Sequence, residues 1–446
     1  MPHLSPKLTQ LSGQEHRSQL RRAVIAATIG TAIEWYDFFL YSSVTGLVFA
    51  RLFFPQSSPL TGALQAFTVY LFGFVARPIG AAIFGHFGDR IGRKSTLILT
   101  LALMGMATFL VGLVPTYASI GVWGAVILTI LRFIQGVGVG GEWGGSVLLA
   151  MEWARTNKHR GFVTSWPQLG VPLGMLLANL AVLLSSRVSG DGFLEWGWRI
   201  PFLLSISLIG VGLYIRLGIQ ETPTFQALTA KGATSSRPVP EVIHRHWREI
   251  LLSALARTVQ QASFYVLTAF IFSYGTTVLG SSRDFLLVAM MAASVLSCIT
   301  NPLFGFLSDR VGRKRVYTLG IWATALFAFA YFAILDTRIP ALIFLAIAVS
   351  LVPHDMMYGP QAALIAESFP ARLRYSGASL GYHLASIISG GPAPLIATAL
   401  FARYRSGHAI AIYLAACAVI SAIATRYLTD HTNEELDDRD VVSKAR

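Results

Sequence analysis

Twelve long apolar runs constrain this chain more than any other feature, because about 20 such residues cross the hydrocarbon core of a bilayer as a helix. The runs fall at 23–50, 60–87, 95–114, 120–151, 162–186 and 198–218, then at 250–279, 285–307, 316–335, 339–366, 376–402 and 408–428. A backbone inside lipid has no water to bond with, which leaves helices or closed barrels, and runs this long and continuous specify helices. Several exceed the minimum length, which implies tilt or extension beyond the hydrocarbon. Composition agrees: only 13% of the 446 residues are charged, against about 25% in soluble domains. The net charge of +13 sits largely in turns between the runs and is no sign of nucleic-acid binding. Cys298 and Cys417 both lie in apolar runs, so no disulfide framework is implied. The polar stretch Met1–Arg22 lacks the apolar core and cleavage site of a signal peptide.

One turn occurs twice. Gly85-His86-Phe87-Gly88-Asp89-Arg90-Ile91-Gly92-Arg93-Lys94 returns 220 residues later as Gly305-Phe306-Leu307-Ser308-Asp309-Arg310-Val311-Gly312-Arg313-Lys314. Both read G-x-x-x-D-R-x-G-R-K at matching points of the two halves, which points to duplication. A single copy would pass as a basic cytosolic turn; two matched copies fit a transporter whose binding site lies where its halves meet. A polar stretch with Pro223, Pro238 and Pro240 divides the runs six plus six. The expected organisation is an N-terminal segment 1–22, a first half 23–219, a linker 220–249, a second half 250–428 and a tail 429–446. With the N-terminus in the cytoplasm, 25 of the 35 basic residues fall on the cytoplasmic side and seven on the other. That bias orients the chain with both termini inside. The fold class expected is an all-α membrane protein of twelve helices in two pseudo-symmetric halves.

Ionisable residues within spans cost several kcal/mol unless paired or hydrated, so each is a functional candidate. Glu34, Asp37 and Tyr41 in the first span are spaced i, i+3, i+7 and share a face. A structural salt bridge is the plain reading, but two carboxyls on one buried face suit proton binding, because an apolar interior favours their neutral form. Arg77 precedes Pro78 two turns inside the membrane from Gly85. Its guanidinium either snorkels to the surface or faces a cavity, ready for bidentate pairing with a carboxylate. In the fourth span Arg132, Gln135, Glu142 and Ser146 share a narrow arc, and Gly136, Gly140 and Gly144 permit close helix packing. The seventh span presents Arg257, Gln260, Gln261, Phe264 and Tyr265, with Gln261 and Tyr265 rising above Arg257 at i+4 steps. The tenth carries His354-Asp355, Tyr358 and Gln361; the eleventh carries Tyr382, His383, Ser386 and the breaker run Gly390-Gly391-Pro392. His354-Asp355 is expected in a wet cavity and is no metal signature, lacking further ligands at the right spacing.

The doubled turn resembles the signature of the major facilitator superfamily, and Arg132-x-x-Gln135-Gly136 resembles its fourth-helix motif. More narrowly, GTAIEWYDFFLY (Gly30–Tyr41), RPIG (Arg77–Gly80), GVGGEWGG (Gly138–Gly145), WGWRIPF (Trp196–Phe202) and QETPTF (Gln220–Phe225) resemble the metabolite:proton symporters. That family includes transporters of shikimate, 2-oxoglutarate, citrate and other dicarboxylates, and proline/betaine. His354-Asp355-Met356 and Arg374-Tyr375-Ser376-Gly377 look most like shikimate symporters. Gln168-Leu169-Gly170-Val171-Pro172 stands where drug:proton antiporters carry a G-x-x-x-G-P-x-x-G-G element, and Gln261 stands where relatives often have an acid.

The resemblance implies proton-coupled uptake of a small organic acid, such as shikimate or a di- or tricarboxylate, by alternating access. The setting it implies is the cytoplasmic (inner) membrane of a bacterium, with the protein a monomer in the bilayer. The proton is then the coupling ion, with no other cofactor, no metal and no nucleic-acid partner. It assigns the coupling proton to Asp37 with Arg132 as partner and Glu34 as a second candidate. Substrate contacts are expected from Arg77, Trp35, Tyr41, Gln135, Arg257, Gln261, Tyr265, His354, Asp355, Tyr382 and His383. A gate is expected from Gly85, Asp89, Arg90 and Arg93 and from Gly305, Asp309, Arg310 and Arg313. One alternative is uptake of a zwitterion such as proline or betaine, held by cation–π contact with Trp35, Tyr36, Phe264 or Tyr265. Another is a sensor that binds a metabolite without moving it, though linker and tail are short for signalling. An enzyme is not expected, since no nucleophile elbow, phosphate loop or metal cluster occurs.

Overall fold

The computed structural model describes residues 13–44, 48–57, 59–154, 159–432 and 434; the rest of the N-terminal segment and of the tail lies outside them. Twelve membrane segments follow one another. In the first half these are α1 (Gly13–Val44), α2 (Pro59–Ile91), α3 (Arg93–Leu113), α4 (Trp123–Glu152), α5 (Arg160–Ser189) and α6 (Arg199–Leu217). The second half begins with α7, whose pieces are Pro238–Ala256, Thr258–Tyr265, a π-turn Val266–Phe270 and Ile271–Thr277. Then come α8 (Arg283–Val311), α9 (Arg313–Asp336) and α10 (Pro340–Val349 and Leu351–Ala366). Next is α11 (Arg374–Ala385, a π-turn Ser386–Gly390 and Ala393–Tyr404), and α12 (Gly407–Tyr427) closes the bundle. No strand occurs among the described residues.

Eleven of these segments hold helices long and apolar enough to cross a membrane among the described residues. The twelfth is α7, and here the expected continuous run 250–279 needs correction. Arg257, Thr258, Gln260, Gln261 and Ser263 crowd one stretch, and the helix breaks at Arg257 (φ −83°, ψ 0°) before resuming. Its helix also starts earlier than expected, at Pro238 within the linker, with a kink at His246 (φ −128°). Irregular backbone at membrane depth survives only where protein or a cavity surrounds it, and residues 258–265 are buried throughout.

Side chains sort by face as lipid demands. Along α2 the exposed Leu71, Val75, Ile79, Ile83, Phe87 and Ile91 recur every four residues, while Gly73, Arg77 and Asp89 turn to the interior. Small residues set how near the helices come. A Cβ on Gly136 would stand 2.8 Å from Ala76, and one on Gly140 would stand 2.7 Å from the backbone of Ala81, so α4 lies almost backbone to backbone on α2.

Within the first half α1 packs on α5, α2 and α3 on α4, and α3 on α6; the second half repeats this as α7 on α11, α8 and α9 on α10, and α9 on α12. Between halves, α5 packs on α8 and α2 on α11. Those two contacts exchange under a shift of six helices, so one pseudo-twofold axis runs between the halves.

Candidate functional site

The two copies of the repeated turn lie on the same side of the bundle, and each one closes the gap to the opposite half. Asp89, at the end of α2, accepts hydrogen bonds from Tyr375 N (3.3 Å), Ser376 N (3.0 Å) and Ser376 Oγ (2.8 Å) in the first turn of α11. Asp309, at the end of α8, accepts from Gly161 N and Phe162 N, both at 2.8 Å, in the first turn of α5. A helix start carries unsatisfied N–H groups and partial positive charge, which a carboxylate meets on both counts. Gly92 (φ 113°) and Gly312 (φ 109°) take the left-handed backbone that reverses each chain after its Asp. Gly85 and Gly305 let the halves touch: a Cβ there would lie 2.8 Å from Ser376 Cα and 2.6 Å from Ser165 Cβ.

Behind each aspartate stands a matched ion-pair network. Arg93 reaches Glu152 (3.4 Å) and Asp89 (3.5 Å), and crosses to the Ala371 carbonyl (3.2 Å). Arg313 reaches Glu367 (2.7 Å) and Asp309 (3.2 Å), and Arg160 approaches Glu367 from the other half (3.6 Å). Glu221 accepts from the amides of Arg93 and Lys94 (both 3.1 Å), as Asp430 accepts from that of Lys314 (3.2 Å). Burial pushes the Glu367 carboxyl up to about 7 against the pull of Arg313 and Arg160, and it also raises Glu221. The linker joins the same side through Glu241, bonded to Arg372 (2.6 Å) in the loop before α11. Arg90 and Arg310, expected in the gate, lie instead on the exposed helix surface against His86 and Phe306 of their own helices.

In the first half a cavity of about 10 Å³ is lined by Glu34, Asp37, Arg77, Arg132 and Gln135, among others. Asp37 and Arg132 are joined by a chain of side chains. Arg132 Nη1 donates to Gln135 Oε1 (3.3 Å), Gln135 Nε2 to Thr108 Oγ1 (2.7 Å), and Thr108 Oγ1 to Asp37 Oδ2 (2.7 Å). Thr108, on α3, is a member that the sequence reading missed. Gln135 and Tyr41, expected at the substrate, belong to this cluster instead, since the Arg132 guanidinium lies 4.3 Å from the Tyr41 ring centroid. Arg77 is 3% exposed, sits among Phe74 (4.7 Å), Phe38 (5.0 Å) and Trp35 (6.0 Å), and lines the same cavity as Glu34.

Across the interface, Trp35 meets Phe264 edge-on (5.6 Å) and Phe74 meets Tyr265 (5.4 Å), which brings α1 and α2 against α7. The expected wet pair His354-Asp355 is enclosed instead. His354 Nε2 faces Gln260 Nε2 (2.7 Å) and its Nδ1 faces Asp355 Oδ1 (3.1 Å), while Thr300 donates to Asp355 Oδ2. Gln260 and Asp355 thus hold the ring on both sides. Among the polar atoms of this half without a hydrogen-bond partner are Arg257 Nε and Nη2, both ring nitrogens of His383, Gln261 Oε1 and Ser386 Oγ. Arg257 is fully buried, its guanidinium lies against the Tyr382 ring and donates to the Tyr382 carbonyl, and among the described residues it forms no ion pair with a carboxylate.

Arg216 was also missed. It sits at the end of α6 and counts as cytosolic by position, yet it is 1% exposed and pairs with Glu142 and the Leu97 carbonyl. Thr100 (3.0 Å) and Ser146 (2.8 Å) complete the Glu142 shell. Trp143 and Gln168, read in the sequence only as parts of motifs, were given no role there, because their partners Tyr382 and Tyr358 are distant in sequence. For the paired acids a signal was present. Glu152 and Glu367 end the fourth span of each half, and Glu221 and Asp430 follow the sixth.

The family model of the Major Facilitator Superfamily matches residues 27–394 and 277–442. The shikimate transporter of Escherichia coli (strain K12) is 41% identical over 418 residues, covering 93% of this chain and 95% of its own. The proline/betaine transporter of Salmonella typhimurium is 32% identical over 428 residues, covering 94% and 85%. Among solved structures, the proton:xylose symporter XylE bound to 6-bromo-6-deoxy-D-glucose superposes with a TM-score of 0.77 at 19% identity, covering 96% of this chain and 99% of that one.

Proposed function

The chain belongs to the Major Facilitator Superfamily, and from that premise we propose that it carries a small organic acid into the cytoplasm together with a proton. The gate side is the cytoplasmic side, both termini lie there, and a single chain is the working unit in a bacterial inner membrane. One observation carries the reading. A fully buried arginine of the second half, Arg257, has two donors, Nε and Nη2, without a hydrogen-bond partner and no acid partner among the described residues, while the buried acids Glu34 and Asp37 lie in the first half beside Arg77 and Arg132. The first half therefore handles the proton and the second offers a cation to an anion. The 41% identity to a shikimate transporter supports an acid as cargo.

Asp37 exchanges the proton. Its link to Arg132 through Thr108 and Gln135 ties its charge to the position of α3 and α4, so rocking of the halves changes how well a charged carboxylate is compensated. Outward exposure loads proton and acid together; release follows when the Asp89 and Asp309 caps let go.

A zwitterion reading draws on the 32% identical proline/betaine relative. The aromatic box it needs is already filled, because the Arg77 guanidinium occupies the space among Trp35, Phe38 and Phe74.

The deciding experiment is uptake by proteoliposomes under an imposed pH gradient, with shikimate, citrate, 2-oxoglutarate and glycine betaine compared. Accumulation of an acid that collapses with a protonophore is expected. Accumulation of glycine betaine with no acid moved would replace this reading by the zwitterion one.

A further inference from the structure

The ring of Tyr382, on α11, has two unusual neighbours. The Trp143 indole of α4 stacks on it with centroids 3.7 Å apart and planes 17° apart. The Arg257 guanidinium of α7 lies 3.4 Å from the same centroid. Two groups that close to one centroid have to take opposite faces. Tyr382 is thus sandwiched between an aromatic of the first half and a cation of the second.

The sandwich belongs to a closed circle that joins the halves. Trp143 Nε1 donates to Gln168 Oε1 (2.9 Å), Gln168 Nε2 donates to the Tyr358 carbonyl (3.3 Å), and the Tyr358 and Tyr382 hydroxyls meet at 3.4 Å. Trp143, Gln168, Tyr358 and Tyr382 are each at most 3% exposed. Tyr382 is seven residues along α11 from Tyr375, which bonds the Asp89 carboxylate through its amide and the Gly141 carbonyl through its hydroxyl (2.6 Å). Seven residues of helix span about 10 Å, so the circle forms the layer directly inside the gate.

The free atoms of Arg257 complete the picture. Its Nη1 is spent on the Tyr382 carbonyl, leaving Nε and Nη2 without acceptors. These two are the parallel donors of one guanidinium edge, the fork that receives both oxygens of a carboxylate. A cation is held to a ring face by its charge. A carboxylate in the fork would neutralise that charge and draw the guanidinium in plane toward the ligand.

We propose that Tyr382, clamped between Trp143 and Arg257, is an inner latch that keeps the cytoplasmic side shut until a carboxylate takes the Nε–Nη2 edge of Arg257. The inference rests on the reading of the cargo as an organic acid. It adds which arginine anchors the acid and how occupancy reaches the gate. Arg77, already set against Glu34 and three aromatic rings, serves the proton site. Trp143 is a positioning residue: it touches no ligand and acts through Tyr382.

The test uses the full chain in nanodiscs, with Ser308→Cys as reporter in a Cys298→Ala/Cys417→Ala background. Ser308 is fully buried at the α5–α8 contact, far from the latch in sequence, so its maleimide labelling rate reads opening of the gate. In the parent, shikimate should raise that rate. Trp143→Ala should raise the ligand-free rate at least tenfold and abolish the response to shikimate. Trp143→Phe, which keeps a ring but loses the donor to Gln168, should fall between. Arg257→Lys should label slowly without ligand and need at least tenfold more shikimate for half its response. Ligand-free labelling of both Trp143 variants at the parent rate would overturn the latch. An Arg257→Lys response at the parent's half-saturation would overturn the anchor. A parent that ignores shikimate, citrate and 2-oxoglutarate alike would sink the organic-acid reading and the anchor with it, while the ligand-free rates still decide the latch.

Discussion

Replacing Asp89 by Asn is the sharpest probe of how the cytoplasmic side is held shut. The carboxylate accepts three hydrogen bonds, from Tyr375 N, Ser376 N and Ser376 Oγ. Asparagine keeps one acceptor oxygen; set at the Oδ2 position it holds both Ser376 bonds but turns its NH2 toward Tyr375 N, so that bond is lost together with the charge facing the start of α11. Hydrogen bonds to a charged group are worth about 1.5–3 kcal/mol each, and a charge at a helix terminus about 0.3–1 kcal/mol. The closed state then loses about 3 kcal/mol, roughly a hundredfold in the closed-to-open ratio. Asp309→Asn should cost a similar amount, about 3 kcal/mol, because it too loses one backbone N–H bond and the charge at a helix start. The two caps sit at separate helix contacts, so in the double variant their free energies should add. The assay is maleimide labelling of Ser308→Cys with transport measured in the same preparation. Ser308 lies at the α5–α8 contact, away from Asp89, so faster labelling there reports opening of the whole side and not local damage. Labelling unchanged while transport falls would refute the cap as the closing element.

Three further outcomes follow from the same geometry. Asp37→Asn should abolish accumulation driven by a pH gradient while leaving counterflow exchange, and Glu34→Gln should do less; a variant at Asp37 that still concentrates substrate on the gradient alone removes it as the coupling residue. Arg216→Gln strands the Glu142 carboxylate in the first half, which should cost about 3–5 kcal/mol. Adding Glu142→Gln should recover most of that loss, and thermal unfolding in detergent that is identical for all three proteins would contradict a structural pair. The Glu367 carboxyl, raised by burial to about 7 in the closed gate, binds a proton on closure. Closure is therefore favoured as pH falls from about 7 toward the ordinary carboxyl range and loses this contribution above it. Ser308→Cys labelling, normalised to a Glu367→Gln control, should rise as pH is raised through that window, and parallel curves would rule Glu367 out as its source.

The bilayer made most of the fold legible, since it demands apolar runs of fixed length, and the repeated turn gave the two halves. The break in α7 was not legible in the apolar run, although its cause stood in the sequence as Arg257, Thr258, Gln260 and Gln261 together. Spacing along one helix grouped Glu34 with Asp37 because they share a face, but Thr108 enters from α3 and has no such register. Counting charges by loop misassigned Arg216, because a helix-end arginine points to water or back into the bundle according to the partner it finds, here Glu142 on α4. His354-Asp355 looked wet because two ionisable neighbours point in different directions and neither fits lipid; Gln260 and Thr300 supply partners from α7 and α8. Trp143 and Tyr382 lie in different halves, so only docking of the halves brings them together.

The acceptors in this gate are two aspartates, but most of the donors are peptide N–H groups, at Tyr375 and Ser376 on one side and Gly161 and Phe162 on the other. Every amino acid except proline brings the same N–H. At Tyr375 and Phe162 the receiving half of each lock is therefore written in where a helix begins and not in which side chain sits there, whereas Ser376 also donates through its hydroxyl and Gly161 has no room for a Cβ. Drift at Tyr375 or Phe162 leaves those amides in place, whereas a one-residue shift in the start of α5 or α11 would turn them about 100° away from the aspartate. Insertions and deletions in the short loops before these two helices, more than substitutions within them, are the changes this transporter can least absorb.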